Sequence, residues 1–213
     1  LLPAVKRLDV IELDRDLAAR LPKTLAGLGE LHLHQADALN FDFSQLIENE
    51  QKLRVVGNLT YNISTPLIFH LLSHSHLISD MAFMLQKEVV DRLGAEPDTA
   101  DYGRLSVIVQ YRCQVDWLLG VPPEAFNPAP KVQSAVVKLT PWQKSPYNCD
   151  NEALLQRVVS TAFNQRRKTL RNCLKGLAEA PDFEAVGINP SLRAEVLSVQ
   201  QFVQLTNQLN KHV

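Results

Sequence analysis

Short apolar runs alternate with amphipathic stretches along most of this chain, the rhythm of strands interleaved with helices. Leu8-Asp9-Val10-Ile11-Glu12-Leu13 predicts a strand ending in a carboxylate, and Asp16 to Leu21 has the spacing of an amphipathic helix. Leu31 to His34 predicts a second strand, followed by a loop through Leu39. Leu53, Val55 and Val56 make a β-branched run expected as a buried strand that Gly57 breaks. Thr65 and Pro66 predict the start of the next helix, because Thr can cap it and Pro suits its first turn; Leu67 to Leu72 continue its apolar face. Asp80 to Gln86 is expected as a strand, Lys87 to Leu93 as a helix and Gly94 to Asp101 as a polar loop. Gly103 to Arg112 is ambiguous, since Leu105-Ser106-Val107-Ile108-Val109 favours a strand by propensity. Val115 to Val121 and Val132 to Leu139 predict two closing strands around a Pro122-Pro123 turn. Trp142 to Asp150 reads as a linker, and Glu152 to Leu177 and Pro190 to Lys211 are helical in pattern. The expectation is an α/β domain over residues 1–145 and a small all-α domain over residues 146–213.

Composition adds limits. A length of 213 residues holds one large domain plus a small one. The net charge of −1 means that any nucleic-acid surface must be local. One such place exists: between Ala153 and Ala178 stand Arg157, Arg166, Arg167, Lys168, Arg171 and Lys175, with no acid among them. Fixed positive charges on a helix suit phosphates. Cys113, Cys149 and Cys173 are odd in number and widely spaced, which argues against a disulfide framework or a zinc site. His32 with His34, and His70 with His74 and His76, lack acidic or Cys partners at ligand spacing, so no metal site is expected. No apolar run approaches a membrane span and no targeting segment is visible. The expected setting is the cytoplasm, and the glycosylation sequons at Asn58 and Asn62 are discounted.

The stretch with chemical content is Asn58-Leu59-Thr60-Tyr61, placed at the carboxyl end of a predicted strand, where open α/β sheets hold ligands. The exocyclic amine of a purine is a poor nucleophile because its lone pair is delocalised into the ring. An Asn oxygen and a neighbouring main-chain carbonyl can accept its two N–H groups and direct the lone pair outward, and Tyr61 offers a stacking face. This tetrapeptide resembles the Asn-Leu-Pro-Tyr motif of the rRNA adenine dimethyltransferases, with Thr60 in place of Pro. The run Ala162-Phe163-Asn164-Gln165-Arg166-Arg167-Lys168-Thr169-Leu170-Arg171-Asn172 is similar to that family's C-terminal signature.

The resemblance covers nearly the whole chain. It implies a Rossmann-like S-adenosyl-L-methionine-dependent methyltransferase sheet, a helix over Gly103 to Arg112, and a helical RNA-binding domain. Glu12 would hold the cofactor ribose, and Asp37 with Ala38 its adenine, beside Asn58. Phe126, in the Pro-rich loop Phe126 to Val132, would face Tyr61 across the target base. Asn58 and the Leu59 carbonyl would accept from the amine, while Arg166, Arg167, Lys168 and Arg171 would meet RNA phosphates. The implied substrate is 16S rRNA in the 30S subunit or its precursor, dimethylated at two adjacent adenosines by a monomer with no membrane association. The family's preceding strand and Gly-rich cofactor loop have no counterpart in these 213 residues, so the chain is expected to lack half of a cofactor pocket. Two alternatives remain: a catalytically impaired ribosome-assembly factor, and a macrolide-resistance-type methylase of 23S rRNA.

Overall fold

Alternation of buried and half-exposed positions sets the two central strands of the larger sheet, and caps set most of the helices. A computed structural model describes residues 1–5, 7–49 and 51–212. The chain divides into two compact units, residues 1–53 with 62–78, and residues 54–61 with 79–213.

The first unit contains α1 (Leu2–Val5), β1 (Arg7–Ile11), α2 (Arg15–Thr24) and β2 (Glu30–His34), with β1 and β2 parallel and paired from Arg7↔Glu30 to Ile11↔His34. Asp14 caps α2 through hydrogen bonds from the Asp16 and Leu17 main-chain N–H groups at 2.8 and 3.0 Å. Most of α3 (Tyr61–Ser73) also lies in this unit, with Leu67, Ile68, Leu71 and Leu72 buried at the i, i+1, i+4, i+5 spacing of a packed helix face. His70 Nε2 meets the Phe41 carbonyl at 2.8 Å, and the rings of His34, Phe41, Phe43, His70 and His74 form a chain of mostly edge-on contacts. Among the described residues no group of three His, Cys, Asp or Glu side chains could hold a metal.

Three expectations fail in this region. The strand at Leu53 to Val56 is not buried: Leu53 and Val55 are half-buried and Val56 is exposed. Gly57 does not break the strand: β3 runs Leu53–Asn58 through it. Helix α3 begins at Tyr61, four residues before Thr65, and Pro66 sits inside it. A proline there removes one main-chain N–H from the second turn, which a helix buried at four following positions can sustain.

The second unit is built on a four-stranded sheet in the order β3, β4 (Ile78–Gln86), β6 (Ser134–Pro141), β5 (Cys113–Val121). Met81, Phe83 and Leu85 of β4 alternate with half-exposed neighbours, as do Ala135, Val137 and Leu139 of β6; these six form the buried face of the sheet. β4 and β5 each pair antiparallel with β6, and the β5 register slips between Trp117 and Leu119. Helices α4 (Lys87–Leu93) and α5 (Arg104–Arg112) follow. The ambiguous Gly103 to Arg112 stretch is thus helical. Ser106 Oγ accepts from the Gly103 N–H at 3.0 Å and donates to the Arg92 carbonyl at 2.6 Å, and Ser106 to Val109 are all buried. Burial on every side, not strand pairing, accounts for the β-branched run.

The C-terminal region forms α6 (Glu152–Phe163), α7 (Leu170–Cys173), α8 (Ala180–Ala185) and α9 (Val199–Asn210). Asn151 caps α6, and a Ser198–Gln201 capping box starts α9. The single helix expected from Glu152 to Leu177 is interrupted, because residues 164–169 supply six polar side chains in succession and no apolar position to bury. The helix expected from Pro190 starts only at Val199, and α8 was not foreseen.

Candidate active site

The Asn58 to Tyr61 motif sits where β3 ends and α3 begins. Arg54 forks onto Asp80 at 3.0 and 2.9 Å, while five residues later the Leu59 N–H donates to the Met84 carbonyl at 3.0 Å. β3 and β4 therefore run in the same direction, with their carboxyl ends together. In the sheet register Gln86 pairs with Ser134, and Ser134 with Val121. β5 thus leaves the sheet at the same end, through a short 3-10 turn at Pro123–Ala125 directly into Phe126. The motif and the Phe126 loop emerge from one edge of one sheet, the position at which such sheets carry ligands.

The side chains at this edge differ in exposure. Asn58 is exposed, Tyr61 is 59% exposed and Phe126 is half-buried. Leu59 is half-buried, and its Cδ2 lies 2.9 Å from where a Cβ on Gly57 would stand, with Phe83 Cδ1 at 3.6 Å. Gly57 is needed for this close approach and not as a strand break.

Glu12, Asp37 and Ala38 lie in the first unit, after the carboxyl ends of the parallel strands β1 and β2, and all three are half-buried. The Glu12 N–H donates to the His34 carbonyl at 3.0 Å and the Ala36 N–H to the Glu12 carbonyl at 3.2 Å, so the parallel pairing continues past β1. Glu12 Oε1 accepts from the Asp14 N–H at 2.9 Å. Asp37 Oδ1 accepts from the Leu39 N–H at 2.9 Å and Oδ2 from Asn40 Nδ2 at 2.8 Å. Two oriented carboxylates, each keeping lone pairs beyond these contacts, fit the hydroxyls and ring amine of a nucleoside.

The basic run does not lie on one helix. Of Arg166, Arg167, Lys168 and Arg171, the first three occupy the turn between α6 and α7 and only Arg171 is helical. All four are exposed. Arg166 donates to Glu195 Oε2 at 3.1 Å and to the Ala100 carbonyl, partners that sequence reasoning missed because nothing local marks contacts 29 and 66 residues away. Among the described residues Arg167, Lys168 and Arg171 have no ion-pair partner.

The profile of the ribosomal RNA adenine dimethylase family matches residues 1–211. The chain belongs to this family. A ribosomal RNA small subunit methyltransferase A from Pseudomonas aeruginosa is 57% identical over 98% of this chain and 78% of that protein. The protein of the same name from Tolumonas auensis is 54% identical over 98% of this chain and 78% of its own length. Among solved structures, a dimethyladenosine transferase from Plasmodium falciparum superposes with a TM-score of 0.80 at 26% identity, over 97% of this chain and 82% of that one. The 23S rRNA methyltransferase ErmE, 19% identical with a TM-score of 0.69 over 96% of this chain and 82% of its own, shares the fold. The Rossmann-like α/β methyltransferase fold expected from the sequence is therefore this chain's fold, the dimethylase is an enzyme, and S-adenosyl-L-methionine is its methyl donor. Among the described residues no helix is long and apolar enough to cross a membrane.

Proposed function

We propose that this dimethylase transfers methyl groups to the exocyclic amines of two adjacent adenosines near the 3′ end of 16S rRNA, in the cytoplasm, on the 30S subunit or its precursor. The names of its relatives in Pseudomonas aeruginosa and Tolumonas auensis support the small-subunit substrate. The observation that carries the chemistry is the arrangement at the end of β3, with an exposed amide at Asn58 next to a main chain pinned at Leu59.

Bound S-adenosyl-L-methionine supplies an electrophilic methyl group. Glu12 holds its ribose, and Asp37 with Ala38 its adenine. Asn58 Oδ1 and the Leu59 carbonyl accept the two N–H groups of the target amine, which turns its lone pair away from the ring. Tyr61 and Phe126 take the two faces of the extruded base, so the energy of unstacking it is offset by new stacking. With the Leu59 main chain held by its bond to Met84, orientation and fixed dipoles supply most of the rate in this reading. Arg167, Lys168 and Arg171 meet RNA phosphates.

The test uses full-length protein, isotopically labelled S-adenosyl-L-methionine and small subunits whose rRNA has not been methylated. The proposal expects label in two adjacent adenosines of 16S rRNA. Label confined to 23S rRNA, or found in an isolated adenosine, would contradict it.

A further inference from the structure

Arg166 opens the basic turn, yet its guanidinium is directed at protein. Its Nε donates to Glu195 Oε2 at 3.1 Å, and its Nη2 donates to the Ala100 carbonyl. Glu195 is committed on its main chain too: its carbonyl accepts from the Asp98 N–H at 2.7 Å, and its other carboxylate oxygen lies 3.8 Å from Arg193 Nη1. The loop that makes these contacts is firmly seated. Tyr102 is buried, donates its hydroxyl to the Leu197 carbonyl at 2.8 Å and meets Phe163 edge-on at 6.2 Å. Asp98 holds the left-handed φ of 65° that brings its N–H to Glu195. Arg166, Glu195 and residues 98–100 therefore close a triangle linking the basic turn, the segment before α9 and the loop after α4.

By contrast, Arg167 and Lys168 are exposed with no acidic partner among the described residues. An arginine already donating to a carboxylate and a carbonyl has a competitor that a phosphate must displace, whereas its two neighbours have none.

We infer that Arg166 is a positioning residue that fastens the 164–169 turn to the loop at residues 98–102, so that Arg167 and Lys168 project together toward RNA, and that it does not itself neutralise a phosphate. This rests on the RNA-binding reading of the turn given above. The inference makes a demand that phosphate binding by Arg166 would not. Neutralising Glu195 frees Arg166 and removes a negative charge, so a phosphate-binding Arg166 would bind RNA more tightly; a positioning Arg166 would leave the turn loose and binding weaker.

The experiment measures binding of full-length Arg166→Ala, Arg166→Lys, Glu195→Gln, Arg167→Ala and Lys168→Ala proteins to small subunits across a salt series, and amide exchange of each protein without RNA. For Arg166→Ala and Glu195→Gln we expect the Kd to rise roughly two- to five-fold, as loss of an exposed ion pair allows, with the wild-type salt slope retained. Arg166→Lys, which keeps the charge without the fork, should behave like Arg166→Ala. Arg167→Ala and Lys168→Ala should each flatten the slope by about one counterion. Exchange at Asp98 should quicken in both the Arg166→Ala and Glu195→Gln proteins. A flattened slope for Arg166→Ala, tighter binding by Glu195→Gln, or unchanged exchange at Asp98 would overturn the inference. If instead Arg167→Ala and Lys168→Ala leave the slope unaltered, the phosphate reading of the turn fails, and exchange at Asp98 still decides the role of Arg166.

Discussion

The Leu59 N–H donates to the Met84 carbonyl at 3.0 Å, one residue past the end of β3. This bond carries the sheet's order one step beyond the strand, into the residue whose own carbonyl is proposed to receive the target amine. Proline at the next position would restrict Leu59 further, by disfavouring helical backbone at the residue before it. With Thr60 here, the ladder bond to β4 is a main-chain restraint that Leu59 keeps.

Thr60→Pro should therefore raise the single-turnover rate of methyl transfer, by roughly two- to five-fold if the added restraint is worth about 0.4–1 kcal/mol. The Kd for small subunits should stay nearly unchanged, since no RNA contact is altered. Rapid-quench kinetics with saturating cofactor would check this. An unaltered rate would mean that the bond to Met84 already fixes the carbonyl.

Gly57→Ala should do the opposite. The new methyl would stand 2.9 Å from Leu59 Cδ2 in the present arrangement, so the leucine must leave its rotamer or shift, at about 0.5–1.5 kcal/mol. Turnover should fall while the protein stays folded, measured as kcat beside a thermal melt. A drop in Tm with normal kcat would show that Leu59 matters for packing alone.

Tyr61→Ala and Phe126→Ala should each weaken productive engagement of the target adenosine by about 1–3 kcal/mol, the usual size of one base–aromatic contact. Tyr61→Phe should keep most activity, because the ring face is what is used. Fluorescence of 2-aminopurine placed at the target position would report the extruded base. Equal signals from all three variants would argue against stacking.

The Arg54–Asp80 fork ties β3 to β4 and gives a pH prediction. The hydrogen bonds from Arg54 hold the Asp80 carboxyl below the usual carboxylate range, with partial burial acting the other way. A depressed folded-state pKa contributes stability above the unfolded value, near 3.9 for Asp, and that contribution is lost as pH falls through the lower folded value. Asp80→Asn should thus be less stable than wild type at pH 7, and the two should converge in acid. Denaturant midpoints at pH 7, 5 and 3 would test it, and a constant gap would refute the assignment.

What the sequence revealed, and what it hid, follows from the range of the interactions involved. The strands at Leu8, Leu31, Asp80, Val115 and Val132 were legible because alternation and β-branching are local signals, and Asn58-Leu59-Thr60-Tyr61 stood out because the resemblance it carries lies in four contiguous residues. Gly57 misled because the need for a missing Cβ comes from Leu59 and Phe83 packing against it. Pro66 misled because proline is well tolerated at a helix start, while burial of Leu67, Ile68, Leu71 and Leu72 lets the helix run through it. Leu105 to Val109 has strand propensity, but the burial of Ser106 to Val109 on every side comes from packing that local propensity does not encode. The Arg166–Glu195 pair left no trace in the sequence, since a charge run reads alike whether its members face solvent or a partner from a distant segment.

The most direct test is methylation of unmethylated small subunits by full-length wild-type and Asn58→Ala proteins, followed by mass spectrometry of the two target adenosines. The account predicts two methyl groups on each adenosine with the wild type. With Asn58→Ala it predicts a rate lower by roughly 10²-fold or more, the usual loss on removing one preorganised hydrogen-bond partner from a reacting centre, and subunit binding within a few-fold of normal. Wild-type dimethylation by Asn58→Ala would contradict it.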